Sequence, residues 1–129
     1  MTKNFVYNAE TFNICVNGKN YEVNTSKLIL IQKMQTLCEK AAGADKREII
    51  DFIDALYDCL GKILGKSVFD EIFNDKLYDL IFLTDFCVYL AQEAAPHFSA
   101  INKRFADISA KYSKDNLNES VNSPIADKG

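Results

Sequence analysis

The chain has 129 residues, enough for one hydrophobic core and too few for two. Its composition, 48% apolar and 26% charged, is that of a globular protein rather than a disordered or membrane-embedded one. A net charge of −3 and a pI near 5.1 argue against a dedicated nucleic-acid binder, which needs a basic stripe to displace counterions. The charge is uneven: residues 1–44 carry five Lys against three Glu, and residues 45–93 carry eleven acids against five bases. That mildly acidic middle reads as solvated surface.

The N-terminal stretch MTKNFVYNAETF lacks both a continuous apolar run and a small-residue cleavage site. The most apolar stretch, LYDLIFLTDFCVYLAQEAA, is interrupted by Asp79 and Asp85, well short of the ~20 residues that span a bilayer. The expectation is a soluble, cytoplasmic protein with no membrane and no nucleic-acid partner.

The stretch FNICVNGKNYEV, residues 12–23, predicts a β-hairpin. Asn17-Gly18 suits a type I′ turn, in which both central residues need positive φ. Val16 then faces Lys19, Ile14 faces Tyr21 and Phe12 faces Val23, giving one greasy side that must cover something else. The preceding KNFVY alternates Phe5 and Tyr7 and could add a third strand.

Helices follow. Thr25 or Ser26 can cap LILIQKMQTLCEKAA, which stops at Gly43. Asp45 and Glu48 form the pattern of a capping box, opening a second helix with the stripe Ile49/Ile50, Ile53, Leu56/Tyr57, Leu60, Ile63/Leu64 and a stop at Gly65. Ser67 with Asp70 repeats the capping pattern for the short helix VFDEIFN. Asn74 or Asp75 is expected to cap a helix from Lys76 to Ala94 or Ala95. Pro96 should begin a last helix with Phe98, Ile101, Phe105, Ile108 and Tyr112 inward. The fold class is therefore mainly α with a small N-terminal antiparallel hairpin (α+β), a bundle of four to five helices. Residues 1–112 are expected to form one domain, with the hairpin over 11–24 and helices over about 26–112. The Asn- and Ser-rich stretch over 113–129 reads as a mobile polar tail, with Leu117, Val121 and Ile125 spaced for a weak helix formed on a partner.

No catalytic signature is present, and no cofactor or metal is implied. Asp51, Asp54 and Asp58 share one side of the second helix, but with Arg47 and Lys62 beside them they read as a solvated face rather than catalytic carboxylates. GKILGKS departs from the phosphate-loop pattern, with three residues instead of four between Gly61 and Gly65. Cys15, Cys38, Cys59 and Cys87 are scattered one per element, with no close ligand pair and a single His97, so reduced structural thiols are expected.

The helix from Lys76 stands out. Leu77, Leu80, Ile81, Thr84, Cys87, Val88 and Ala91 make one apolar stripe, and with Leu83 and Leu90 little polar face is left, so the helix reads first as the centre of the bundle. A second row, Tyr78, Phe82, Phe86 and Tyr89, runs along its flank; the alternative to a core helix is that this row is partly exposed and is the partner-binding surface.

Three stretches, in this order, carry a family resemblance: the hairpin FNICVNGKNYEV, then LGKILGKSVFDEIFND, then LYDLIFLTDFCVYLAQEA. Their order resembles that of the tail assembly chaperones of long-tailed bacteriophages and of prophages in Gram-positive hosts. LGKSVFDEIF, residues 64–73, carries most of the likeness, which spans roughly residues 10–95. The resemblance implies a non-enzymatic role: coating the helical tape-measure protein, bringing tail-tube subunits to it, and being absent from the mature virion; weak self-association is expected beside it, because it adds avidity without strong individual contacts. It also implies a longer, frameshifted form in a fraction of the product. The alternatives are a head–tail connector or other small virion morphogenesis protein, and a host adaptor or regulatory binding module.

Overall fold

The computed structural model describes the backbone of residues 2–122, and side chains as far as Ser113. Strands β1 (Thr11–Val16) and β2 (Lys19–Asn24) pair antiparallel, with Phe12 opposite Val23, Ile14 opposite Tyr21 and Val16 opposite Lys19. The turn sits on Asn17 (φ 51°) and Gly18 (φ 84°), the two left-handed conformations that a type I′ turn requires. Phe12, Ile14 and Val23 are buried, so the greasy side of the ribbon is covered. KNFVY adds no third strand: the sheet has two strands, and Phe5, Val6 and Tyr7 are exposed.

A 3-10 turn over Thr25–Lys27, in which the Asn24 side chain accepts from the Ser26 N–H at 2.8 Å, leads into α1 (Leu28–Ala42). The capping box opens α2 (Lys46–Leu64) as the spacing requires. Asp45 accepts from the N–H groups of Arg47 and Glu48 at 2.9 Å each, and Glu48 accepts from the Asp45 N–H. These bonds hold the Asp45 carboxyl below its ordinary range, the Glu48 N–H contributing most.

The second capping pattern does not form. Gly65, at φ 84° and ψ 153°, ends α2 and immediately starts α3 (Lys66–Phe73), so Ser67 already lies inside the helix and caps nothing. Gly65 donates to the Gly61 carbonyl at 2.8 Å and accepts from the Phe69 N–H at 2.9 Å, closing one helix and opening the next.

The long helix also starts later than expected. Residues 74–79 turn instead, with Tyr78 at φ 69° and its N–H donating to the Tyr57 hydroxyl at 2.7 Å. Asp79, not Asn74 or Asp75, then caps α4 (Leu80–Asn122), accepting from the N–H groups of Ile81 and Phe82 at 3.1 Å each. Pro96 lies inside α4 rather than at the start of a new helix. Having no N–H, it leaves the Gln92 carbonyl without its usual donor. The helix also continues past Tyr112, where a polar tail was expected, to Asn122, while residues 123–129 and the expected role of Ile125 lie outside the described residues.

The chain divides into two compact units after Ala95. In the first, α1 packs along α2 and α2 against α3. Its core is built from Ile14 and Val23 of the hairpin, Ile31 and Met34 of α1, Leu56, Leu60 and Ile63 of α2, Phe73 of α3, and Leu83, Phe86, Leu90 and Ala94 of α4. In the second, Phe105, Ile108 and Tyr112, expected to face inward, are exposed. Among the described residues no helix is long and apolar enough to cross a membrane.

Candidate interaction groove

The first turns of α4 are apolar on most sides, and the structure packs the aromatic flank while leaving part of the other stripe open. The aromatic flank is largely the packed one. Phe86 is 4% exposed and lies edge-on to Phe73 with ring centres 5.5 Å apart, while Phe82 is half-buried against the same ring at 5.2 Å. Tyr57, Phe69 and Phe73 extend this cluster across α2 and α3 at centroid distances of 4.7–6.3 Å. Tyr89 is half-buried, and its hydroxyl accepts from the Cys15 N–H at 2.8 Å, tying β1 to α4. Of the four candidate partner-binding residues only Tyr78, at 66%, is exposed; it lies in the turn before α4, its ring 5.5 Å from that of Tyr57. Tyr78, Phe82, Phe86 and Tyr89 therefore do not make a shared outer surface.

A second tie fixes the hairpin to α3. Glu71 accepts from the Tyr21 hydroxyl at 3.0 Å and pairs with Lys19. The Lys19 ammonium, then the Tyr21 hydroxyl, hold the Glu71 carboxyl below its usual range.

The other stripe is open along part of its length, although its Cys87 is buried. Ile81 is 75% exposed and Val88 56%, with Leu77 and Leu80 also exposed. Beside them lies an apolar groove. One hollow of about 470 Å³ is lined by Met34, Gln35 and Cys38 of α1 and by Thr84, Cys87, Val88, Ala91, Gln92 and Ala95 of α4. A second, of about 300 Å³, is bounded by Ala41 and Ala42 of α1, Ile49, Ile53 and Leu56 of α2, and Leu80 of α4. Cys38 and Thr84 line both, so the two run together.

No charged side chain lines either hollow. The Thr84 hydroxyl is already engaged, donating to the Leu80 carbonyl at 2.9 Å and lying 3.1 Å from that of Ile81. Gln35 and Gln92 are the only amides in the lining, so an occupant must be mainly apolar. The α4 wall of the groove includes the small residues Thr84, Ala91 and Ala95, while the rings of Phe82 and Phe86 pack against Phe73.

Two of the four scattered cysteines, Cys38 and Cys87, line the groove, and all four are free thiols. Cys38 is half-buried and Cys87 buried, and both line the larger hollow. Cys59 of α2 donates to the Leu30 carbonyl at 3.2 Å, and burial pushes its pKa up. Among the described residues no group of three or more His, Cys, Asp and Glu side chains could hold a metal ion. Asp51, Asp54 and Asp58 lie on the exposed side of α2, with Asp58 paired to Lys62 at 3.1 Å.

Comparison with family models, with curated proteins and with solved structures finds no match to this chain. The groove and the sequence resemblance therefore carry the functional argument.

Proposed function

We propose that the protein is a tail assembly chaperone of a long-tailed phage or prophage, and that it cradles amphipathic helices of the tape-measure protein in the groove between α1, α2 and α4. The observation that carries this reading is the uncharged, open groove with Ile81 and Val88 standing exposed beside it. From Leu80 to Ala95 the α4 wall runs roughly 22 Å at ~1.5 Å per residue, about four turns of a docked helix. A partner burying three or four apolar side chains there gains about 1–2 kcal/mol from each before the cost of association. Such contacts are weak singly and strong only when many copies line one long helix. That suits a protein that must coat a chain prone to self-association and later leave it.

In this reading the protein is not an enzyme. It acts in the bacterial cytoplasm, associates weakly with its own copies, helps recruit tail-tube subunits and is absent from the mature virion. The acidic middle of the chain keeps the coated complex soluble.

Co-expression with the long helical protein encoded next to it tests the proposal. The expected result is that the partner becomes soluble and co-purifies, and that Ile81→Asp with Val88→Asp abolishes the effect while the melting temperature holds. A partner equally soluble alone, or equally rescued by the double variant, overturns it.

A further inference from the structure

The later turns of α4 carry an apolar face that stands uncovered. Ile101, Phe105, Ile108 and Tyr112 lie at i, i+4, i+7 and i+11, so they share one side of the helix. Phe105, Ile108 and Tyr112 are exposed, and Phe98 and Ile101 are half-buried at its start. From Phe98 to Tyr112 this face runs about 21 Å at ~1.5 Å per residue, close to the roughly 22 Å of groove wall between Leu80 and Ala95. The charges match as well. Residues 96–112 carry Lys103, Arg104 and Lys111 against Asp107 alone, and Arg104 and Lys111, two turns apart, border the apolar face along the same edge. Residues 1–95, the unit that holds the groove, carry 14 acids against 10 bases. Glu39 stands one turn after the lining residue Gln35 and Asp85 one turn before Val88, both exposed, so carboxylates border a groove whose lining is uncharged.

We propose that this face of one copy seats in the groove between α1, α2 and α4 of a second copy. The inference rests on the reading of the groove as a seat for amphipathic helices and adds the chain's own helix as an occupant. Each copy offers one groove and one helix face, two different surfaces, so the contact is heterologous. The apolar residues enter the lining, while Arg104 and Lys111 meet carboxylates at the rim. A groove filled by a second copy is closed to a partner helix. Self-association and partner binding therefore exclude each other at any one groove.

Sedimentation of the full chain from about 1 μM to about 1 mM, the span over which weak contacts form, tests this. The mass is expected to rise from that of a 14.6 kDa monomer as concentration increases. Phe105→Asp with Tyr112→Asp strips the helix face, and Ile81→Asp with Val88→Asp spoils the groove. All four residues are exposed, so the melting temperatures should hold. Either double variant alone should stay monomeric, and an equimolar mixture of the two should form a complex of two chains, because an intact groove then meets an intact helix face. Indiscriminate sticking gives no such complementation. Arg104→Glu with Lys111→Glu should weaken the association about fivefold at low salt. In the unaltered chain, excess iodoacetamide should alkylate Cys38 in the groove several-fold more slowly at the high concentration than at the low, while exposed Cys15 reacts equally at both. That readout needs no variant to fold. A wild-type chain that stays monomeric throughout, as docking within one copy would also give, overturns the proposal. So does undiminished association of the helix-face variant, or a mixture no heavier than its parts. These measurements do not involve the long helical partner, so their failure leaves the proposed function standing, and a failed rescue of that partner leaves this contact standing.

Discussion

Gly65 is the most sharply defined backbone requirement in the molecule, and Gly65→Ala isolates it. With φ 84° and ψ 153°, the residue occupies a region that is essentially confined to glycine. A Cβ built there meets nothing within 4 Å, so the substitution creates no clash and its whole cost is backbone strain. That strain is on the order of 1–3 kcal/mol for a side-chain-bearing residue. For a unit of under a hundred residues each kcal/mol moves the melting temperature by about 4–8 °C, so a drop of roughly 8–16 °C is expected for the middle of the range.

Gly18 is the matched comparison, because it has the same φ of 84° and the same empty surroundings. Its type I′ turn accepts Asn at positive φ, so Gly18→Asn should cost only a fraction of that, about 0.5 kcal/mol. Urea unfolding followed by circular dichroism, with both variants beside the wild type, measures the pair. If Gly65→Ala unfolds at the same urea concentration as Gly18→Asn, the α2–α3 junction is not held in the glycine-only conformation. The packing of Phe69 and Phe73 that depends on it then needs another account.

Two other perturbations separate structure from surface. Leu90 is fully buried, so Leu90→Ala should cost about 2–5 kcal/mol, whereas Val88→Ser on the exposed side of the same helix should stay within about 0.5 kcal/mol; similar denaturation midpoints for the two would mean the faces of α4 are misassigned. The Asp45 carboxyl is held below its ordinary value of 3.8 in the folded state, so its stabilisation is fully present above that value and is lost as pH falls through the folded one. Asp45→Asn should therefore flatten the acid limb of the melting-temperature profile below about pH 4 while lowering the neutral plateau little, Asn being a comparable cap; an unaltered acid limb refutes the capping role.

How far the fold could be read in advance depended on how local each signal was. The hairpin register, the Asn17-Gly18 turn and the Asp45–Glu48 box each rest on residues within a few positions of one another, and each appears in the structure as the spacing implied. The start of α4 was misplaced because Asn74, Asp75 and Asp79 are all competent caps. The choice among them fell to Tyr57, whose hydroxyl takes the Tyr78 N–H and holds the intervening turn. Ser67 failed as a cap because Gly65 started the helix before it.

The sequence by itself determined the alternation of the strands, the amphipathic character of α1 and α2, and the surplus of apolar side chains on α4. Which side of α4 stays open was decided only by tertiary structure, because both sides carry apolar residues at helical spacing and hydrophobicity alone does not rank them. In the fold the rings of Phe82 and Phe86 pack against Phe73, and Thr84, Ala91 and Ala95 line a groove. The placing of Cys38 and Cys87 is of the same kind. Each is unremarkable in its own helix, and only the tertiary fold sets the two along one hollow.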